Sequence, residues 1–176
     1  MKTYVITVSR YFPVTHPRKG EETYFVEKID NAIGATKCCN VGIYSPIGYV
    51  NIWPKIHTIR ANYPFWEKRI NEINEGKAVL SIRYWSGKPY NSKQVEICQL
   101  DKDSGIGLQR LNSADWILPK KRINNLAVWG HSLGKIIKVD ELAKNDGLSI
   151  EDFKAWFKGY DLSKPMAIIH FTNFRY

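Results

Sequence analysis

The chain is poor in the residues that carry metal and disulfide chemistry. It has three cysteines, Cys38, Cys39 and Cys98. Their odd number and the lack of a C-x-x-C spacing argue against a disulfide framework and a zinc site. The four histidines, His16, His57, His131 and His170, are scattered without ligand spacing. No metal and no cofactor is therefore expected. No apolar run approaches the ~20 residues that span a bilayer. The stretch between Lys2 and Arg10 is short and partly polar, unlike a secretory leader. The expectation is a cytoplasmic protein with no membrane partner. Gly105 and Gly107 lack the third glycine of a dinucleotide loop. Internal repeats and low-complexity segments are absent. Acidic residues are also in deficit, 17 against 26 lysines and arginines, for a net charge of +9. That excess favours a polyanionic partner, nucleic acid first. The pattern sets no oligomeric state.

What is present suits a folded globule. The hydrophobic share of 44% and aromatic share of 13% exceed what a disordered chain carries. The length of 176 residues fits one domain with a sizeable core. Residues 3–9 alternate and are β-branched, which predicts a strand. Residues 10–23 read as a loop, 24–33 as a strand or a short helix, and the glycine- and proline-rich 34–54 as turns and short strands. A helix is expected over 63–75, with Asn62 as cap, Pro64 in the first turn, Gly76 at the end, and Trp66, Ile70 and Ile73 facing the core. Residues 77–85 and 93–100 form a hairpin in this reading. Residues 124–130 and 134–139 read as strands or as one interrupted strand, and a short helix is expected near Leu142. Ser149 and Asp152 match a capping box for a helix whose buried stripe is Ile150, Phe153 and Phe157. Residues 166–174 make the last strand. Many short strands with a few short helices suggest an α+β fold, a small β-barrel with helical and loop insertions.

The segment Pro54-Lys55-Ile56-His57-Thr58-Ile59-Arg60 concentrates polar chemistry. In a strand, Thr58 and Arg60 share one face, and His57 and Ile59 the other. Lys55 joins Thr58 only if it sits on the turn entering the strand, which Pro54 makes plausible. Such a polar face can be a pocket for an anionic or amide-rich ligand, or simply a solvated edge strand. A second motif, Gly130-His131-Ser132-Leu133-Gly134, matches the G-x-S-x-G nucleophile elbow, with Asp146 or Asp161 and then His170 in triad order. The helix that must follow the serine is missing from the pattern, because Lys135 to Val139 is β-branched and alternating. The elbow is set aside. Lys120-Lys121-Arg122 reads as a solvated basic loop.

At Lys55–Arg60 the sequence resembles the ASCH family of the PUA-like superfamily through a K-x-x-T-x-R segment. The likeness extends to the first strand and to 139–174, where Asp146 precedes a capped helix and a last strand. It implies a PUA-like barrel over 1–176, with insertions at about 10–54 and 61–125, and a link to RNA or modified nucleosides. One branch of the family hydrolyses the amide of N4-acetylcytidine. By that likeness Lys55 is the base, Thr58 the nucleophile and Asp146 the acidic residue. This chain is longer than those hydrolases and has aspartate where they have glutamate.

The leading expectation is therefore binding of RNA or a modified nucleoside. Lys55, His57 and Arg60 would contact the ligand, with Arg83, Trp85 and Lys88 of the hairpin adding aromatic and cationic contacts. The alternative is an amidohydrolase using Lys55, Thr58 and Asp146. A lysine base acting near neutral pH needs a bias of roughly 4 kcal/mol against its ammonium form. Burial and Arg60 supply bias in that direction, and Asp146 opposes it. A third reading is a protein-interaction module without a working pocket.

Overall fold

The computed structural model describes residues 1–34, 44–45, 48–49, 53–113, 125–129 and 134–176. Gly130 to Leu133 of the elbow match, the basic run at 120–122, and Cys38 and Cys39 lie outside them.

The first strand, β1 (Lys2–Val8), alternates as expected and buries Tyr4, Ile6 and Val8. The ambiguous segment that follows is a helix, α1 (Phe25–Gly34), because Phe25, Ile29 and Ala32 fall on one face and are all buried. Two short strands, β2 (Tyr44–Ser45) and β3 (Gly48–Tyr49), pair antiparallel. The polar segment forms β4 (His57–Arg60). Helix α2 (Tyr63–Asn74) starts at Asn62, whose side chain accepts from the Phe65 amide at 3.3 Å. It buries Trp66, Ile70 and Ile73, as their spacing predicts. The hairpin β5 (Ala78–Trp85) and β6 (Gln94–Leu100) follows. Then come β7 (Gly107–Ser113), β8 (Asn125–Trp129) and β9 (Gly134–Lys138). The chain continues through α3 (Val139–Asn145) and α4 (Ile150–Phe157) to β10 (Met166–His170). The Ser149 hydroxyl caps α4 by accepting from the Asp152 amide at 3.1 Å.

The fold is α+β, and its main strands form two sheets. One has the order β1-β5-β6, with β1 parallel to β5; the other runs β4-β10-β7-β8-β9 and is antiparallel throughout. Among the described residues no backbone ladder joins the two sheets, so they do not close into the barrel expected from the sequence. Helix α2 bridges them instead, touching β5 on one side and β7 and β10 on the other. Their apolar faces share one core, which includes Ile6, Leu80 and Ile82 from the first sheet and Ile59, Leu111 and Ile168 from the second. A side chain also crosses the gap, since Arg60 Nη2 donates to the Thr7 carbonyl at 2.6 Å. No described helix is long and apolar enough to cross a membrane.

Candidate functional site

The strand β4 begins at His57, which leaves Lys55 on the coil before it. Three backbone hydrogen bonds fix that coil. The Lys55 amide donates to the Lys28 carbonyl at 3.0 Å, the Ile56 amide to the Asn145 carbonyl at 3.0 Å, and the Phe171 amide to the Ile56 carbonyl at 2.8 Å. The lysine is thus tied to α1, α3 and the end of β10 before its side chain makes any contact. Entry from the coil places Lys55 and Thr58 beside the same cavity, which a continuous strand would have prevented.

Asp146 arrives from the far end of the chain as the C-cap of α3. Lys55 Nζ donates to Asp146 Oδ1 at 2.6 Å and to the Asp146 carbonyl at 2.7 Å. It also lies 4.2 Å from the centre of the Phe25 ring. All three protons of the ammonium therefore have somewhere to point. Both side chains are buried, Lys55 at 1% exposure and Asp146 at 6%. Burial pushes the Lys55 amine below its ordinary value, Asp146 resists the change, and Arg60 adds to it. Burial alone would raise the Asp146 carboxyl, but Lys55 and His57 outweigh it and hold the group below the usual carboxylate range.

The polar residues lining the cavity include Lys55, Thr58, Arg60 and Asp146. Trp156, Phe157 and Tyr160 wall it from the side of α4, and Val8, Ser9, Phe25 and Ile59 complete it. Its volume is about 30 Å³, room for one or two waters. The Thr58 hydroxyl makes no hydrogen bond to a described residue. Arg60 Nε is buried and has no hydrogen-bond partner among the described residues. The Thr58 hydroxyl is thus the uncommitted polar group beside the cavity.

An aromatic cluster holds the α4 wall in place. Trp156 meets Phe25 at 5.6 Å, Phe12 at 5.9 Å and His16 at 6.2 Å between ring centres. Arg18 of the same amino-terminal loop donates to Asp152 Oδ2 of α4 at 2.7 Å. The loop that the sequence showed only as a connection is part of the cavity's support.

Of the residues expected from sequence, Lys55, Thr58, Arg60 and Asp146 come together at the cavity. His57 stands behind Asp146, its Nδ1 3.6 Å from Oδ1, and does not line the cavity. Arg83, Trp85 and Lys88 lie elsewhere, on the β5–β6 hairpin. The Arg83 Nε donates to the Ser81 hydroxyl at 2.7 Å, Trp85 packs on Tyr90 at 5.3 Å, and Lys88 is exposed. Spacing in the sequence did not point to Phe25, Trp156, Phe157 or Tyr160 as cavity residues. Their aromatic character, two of them adjacent on α4, was the available signal. The described residues hold no cluster of three side chains suited to a metal. Comparison with family models, curated proteins and solved structures finds no match to this chain.

Proposed function

We propose that the cavity beside β4 binds the polar edge of a nucleoside base, free and modified or within RNA. The observation that carries this reading is the convergence of Lys55, Thr58 and Arg60 with Asp146, from distant parts of the chain, on one cavity also lined by Trp156, Phe157 and Tyr160. The Thr58 hydroxyl, with a carboxylate beside it, suits a group that has both a carbonyl and an N–H. An amide or the edge of a cytosine is such a group. The enclosed cavity is too small for a whole base, so an exocyclic substituent enters it and the ring rests against Trp156, Phe157 and Tyr160. Stacking on aromatic side chains is the usual way single bases are held. The ASCH-like reading of the chain, and with it kinship to PUA-like barrels, belongs to this proposal. Its support is the order of the pieces: β1, the Lys55–Arg60 segment, Asp146 ahead of α4, and β10.

Calorimetric titration with cytidine, N4-acetylcytidine and a short single-stranded RNA tests the reading. Binding that weakens in Thr58→Val and Arg60→Met is expected. Absence of binding to all three ligands removes the proposal and leaves a protein-interaction module.

The second reading is amide hydrolysis, favoured by the uncommitted Thr58 hydroxyl beside a buried amine. In the resting site Lys55 has all its protons engaged, so it becomes a base only after a proton moves to Asp146 or a ligand displaces that contact. For this reason binding is placed first. Release of acetate from N4-acetylcytidine, lost in Thr58→Val, establishes hydrolysis; release unchanged in that variant excludes Thr58 as nucleophile.

A further inference from the structure

We infer that His57 is a positioning residue for Asp146, held by Tyr176 in the tautomer that carries its proton on Nδ1. The inference rests on the reading of the Lys55–Asp146 cavity as a ligand site and adds a support behind it.

The argument follows the protons. Asn145 Nδ2 donates to the Tyr176 hydroxyl oxygen at 3.0 Å, and His57 Nε2 lies 2.7 Å from the same oxygen. The phenol has one proton to give. Among the described residues, His57 Nε2 is the acceptor within reach. A neutral imidazole that accepts at Nε2 carries its proton on Nδ1. That nitrogen has no hydrogen-bond partner among the described residues and lies 3.6 Å from Asp146 Oδ1. The opposite tautomer would set a bare lone pair against a carboxylate and leave the phenol proton without an acceptor.

The groups around His57 fit a neutral ring. They are Asp146 and Lys55 at the cavity, His170 with its ring centre 5.6 Å away, and Tyr176 with Asn145 behind. Burial drives the His57 imidazole below its ordinary value, against the pull of Asp146. Burial does the same to His170. The phenol itself is anchored, because the Tyr176 amide donates to Gln109 Oε1 at 2.9 Å.

The consequence is geometric. Asp146 Oδ1 sits between the Lys55 ammonium and the His57 N–H, which orients the carboxylate. The 3.6 Å separation is longer than a hydrogen bond, and contacts of this kind commonly tighten when a ligand enters.

Long-range ¹H–¹⁵N spectra of the ligand-free protein test the inference, with the ring assigned through His57→Gln. A neutral Nδ1–H form is expected at pH 7, moving towards Nε2–H in Tyr176→Phe. The carboxyl of Asp146, followed by its ¹³Cγ shift, supplies a second readout. His57→Asn places an amide near the Nδ1 position and keeps the donor; His57→Gln places one near Nε2 and does not. The carboxyl is expected to titrate about one pH unit higher in the glutamine variant, the effect of roughly one hydrogen bond. Equal titration in the two variants overturns the inference. So does an Nε2–H or cationic His57 in the parent protein, the state that a reversed Asn145 amide would impose. Neither readout uses a ligand, so failure of nucleoside binding is recognised separately.

Discussion

A β-carbon placed on Gly147 would stand 3.1 Å from Lys55 Cβ and 3.2 Å from Lys28 Cδ. The backbone there is left-handed, with φ of 77°. The turn after Asp146 thus depends on a residue without a side chain, for space and for conformation alike. Gly147→Ala is expected to cost roughly 1–2 kcal/mol in urea denaturation and to weaken ligand binding by displacing Lys55. Unchanged stability would show that the turn relaxes freely.

The buried pair should behave as a unit. Lys55→Met or Asp146→Leu alone leaves an uncompensated buried charge, at a cost of about 3–5 kcal/mol, and the double substitution should recover much of the loss. A double-mutant cycle by denaturation measures this. The pH dependence follows from the depressed carboxyl. Its contribution is present above the unfolded carboxylate value and is lost as pH falls through the folded one. That acid-sensitive component should vanish in Lys55→Met/Asp146→Leu.

His170 is fully buried, and neither ring nitrogen has a hydrogen-bond partner among the described residues. Replacing it with leucine should stabilise the protein by about 1 kcal/mol, since an unsatisfied buried polar group is removed. Burial lowers the folded imidazole's proton affinity far below its usual level. Below about pH 6.5 the unfolded ring therefore binds protons that the folded one does not, and stability falls. The gap between His170→Leu and the parent should widen from pH 7 to pH 5 in matched denaturation curves.

Lys28 offers the opposite end of the pH scale. Its amine donates to the Thr23 and Gly147 carbonyls at 2.9 and 2.7 Å, yet burial, with Lys55 nearby, lowers it to about 8. Between that value and the unfolded lysine's, the unfolded chain holds the extra proton, so this contribution to stability rises with pH. Lys28→Met should lack the rise. The difference between its denaturation midpoint and the parent's, followed from pH 8 to 10, checks the sign.

Thr58→Val separates function from stability. The hydroxyl makes no hydrogen bond to a described residue, and valine keeps the shape, so stability should change by less than about 1 kcal/mol. Ligand affinity should fall, measured by calorimetry on protein shown to be folded by circular dichroism. An unaltered affinity would place the ligand elsewhere.

Local signals in the sequence were read well where they were strong. Asn62, Pro64 and the spacing of Trp66, Ile70 and Ile73 defined α2, because capping and periodicity act within one helix. The convergence of Lys55 with Thr58 depended on a coil before β4, and Pro54 hinted at it. Strand β7 carries no clear local signal, since Gly105 and Gly107 look like loop residues and its pairing with β10 is remote in sequence. The Tyr176–His57–Asn145 contacts were illegible for the same reason. Arg83, Trp85 and Lys88 are close along the chain, but Arg83 is drawn to Ser81 and Glu96 on its own sheet. Closure of the sheets depends on ladder geometry, which short alternating runs do not encode.

The parallel pairing of β1 with β5 sets an order of assembly. Lys2 waits for Ala78, so a growing polypeptide carries its first strand unpaired while α1, β4 and α2 are being made. Such remote contacts are slow to form, and the exposed apolar edge invites capture by other chains in the meantime. Conditions that lengthen this interval during translation should lower the yield of native protein without altering the stability of what does fold.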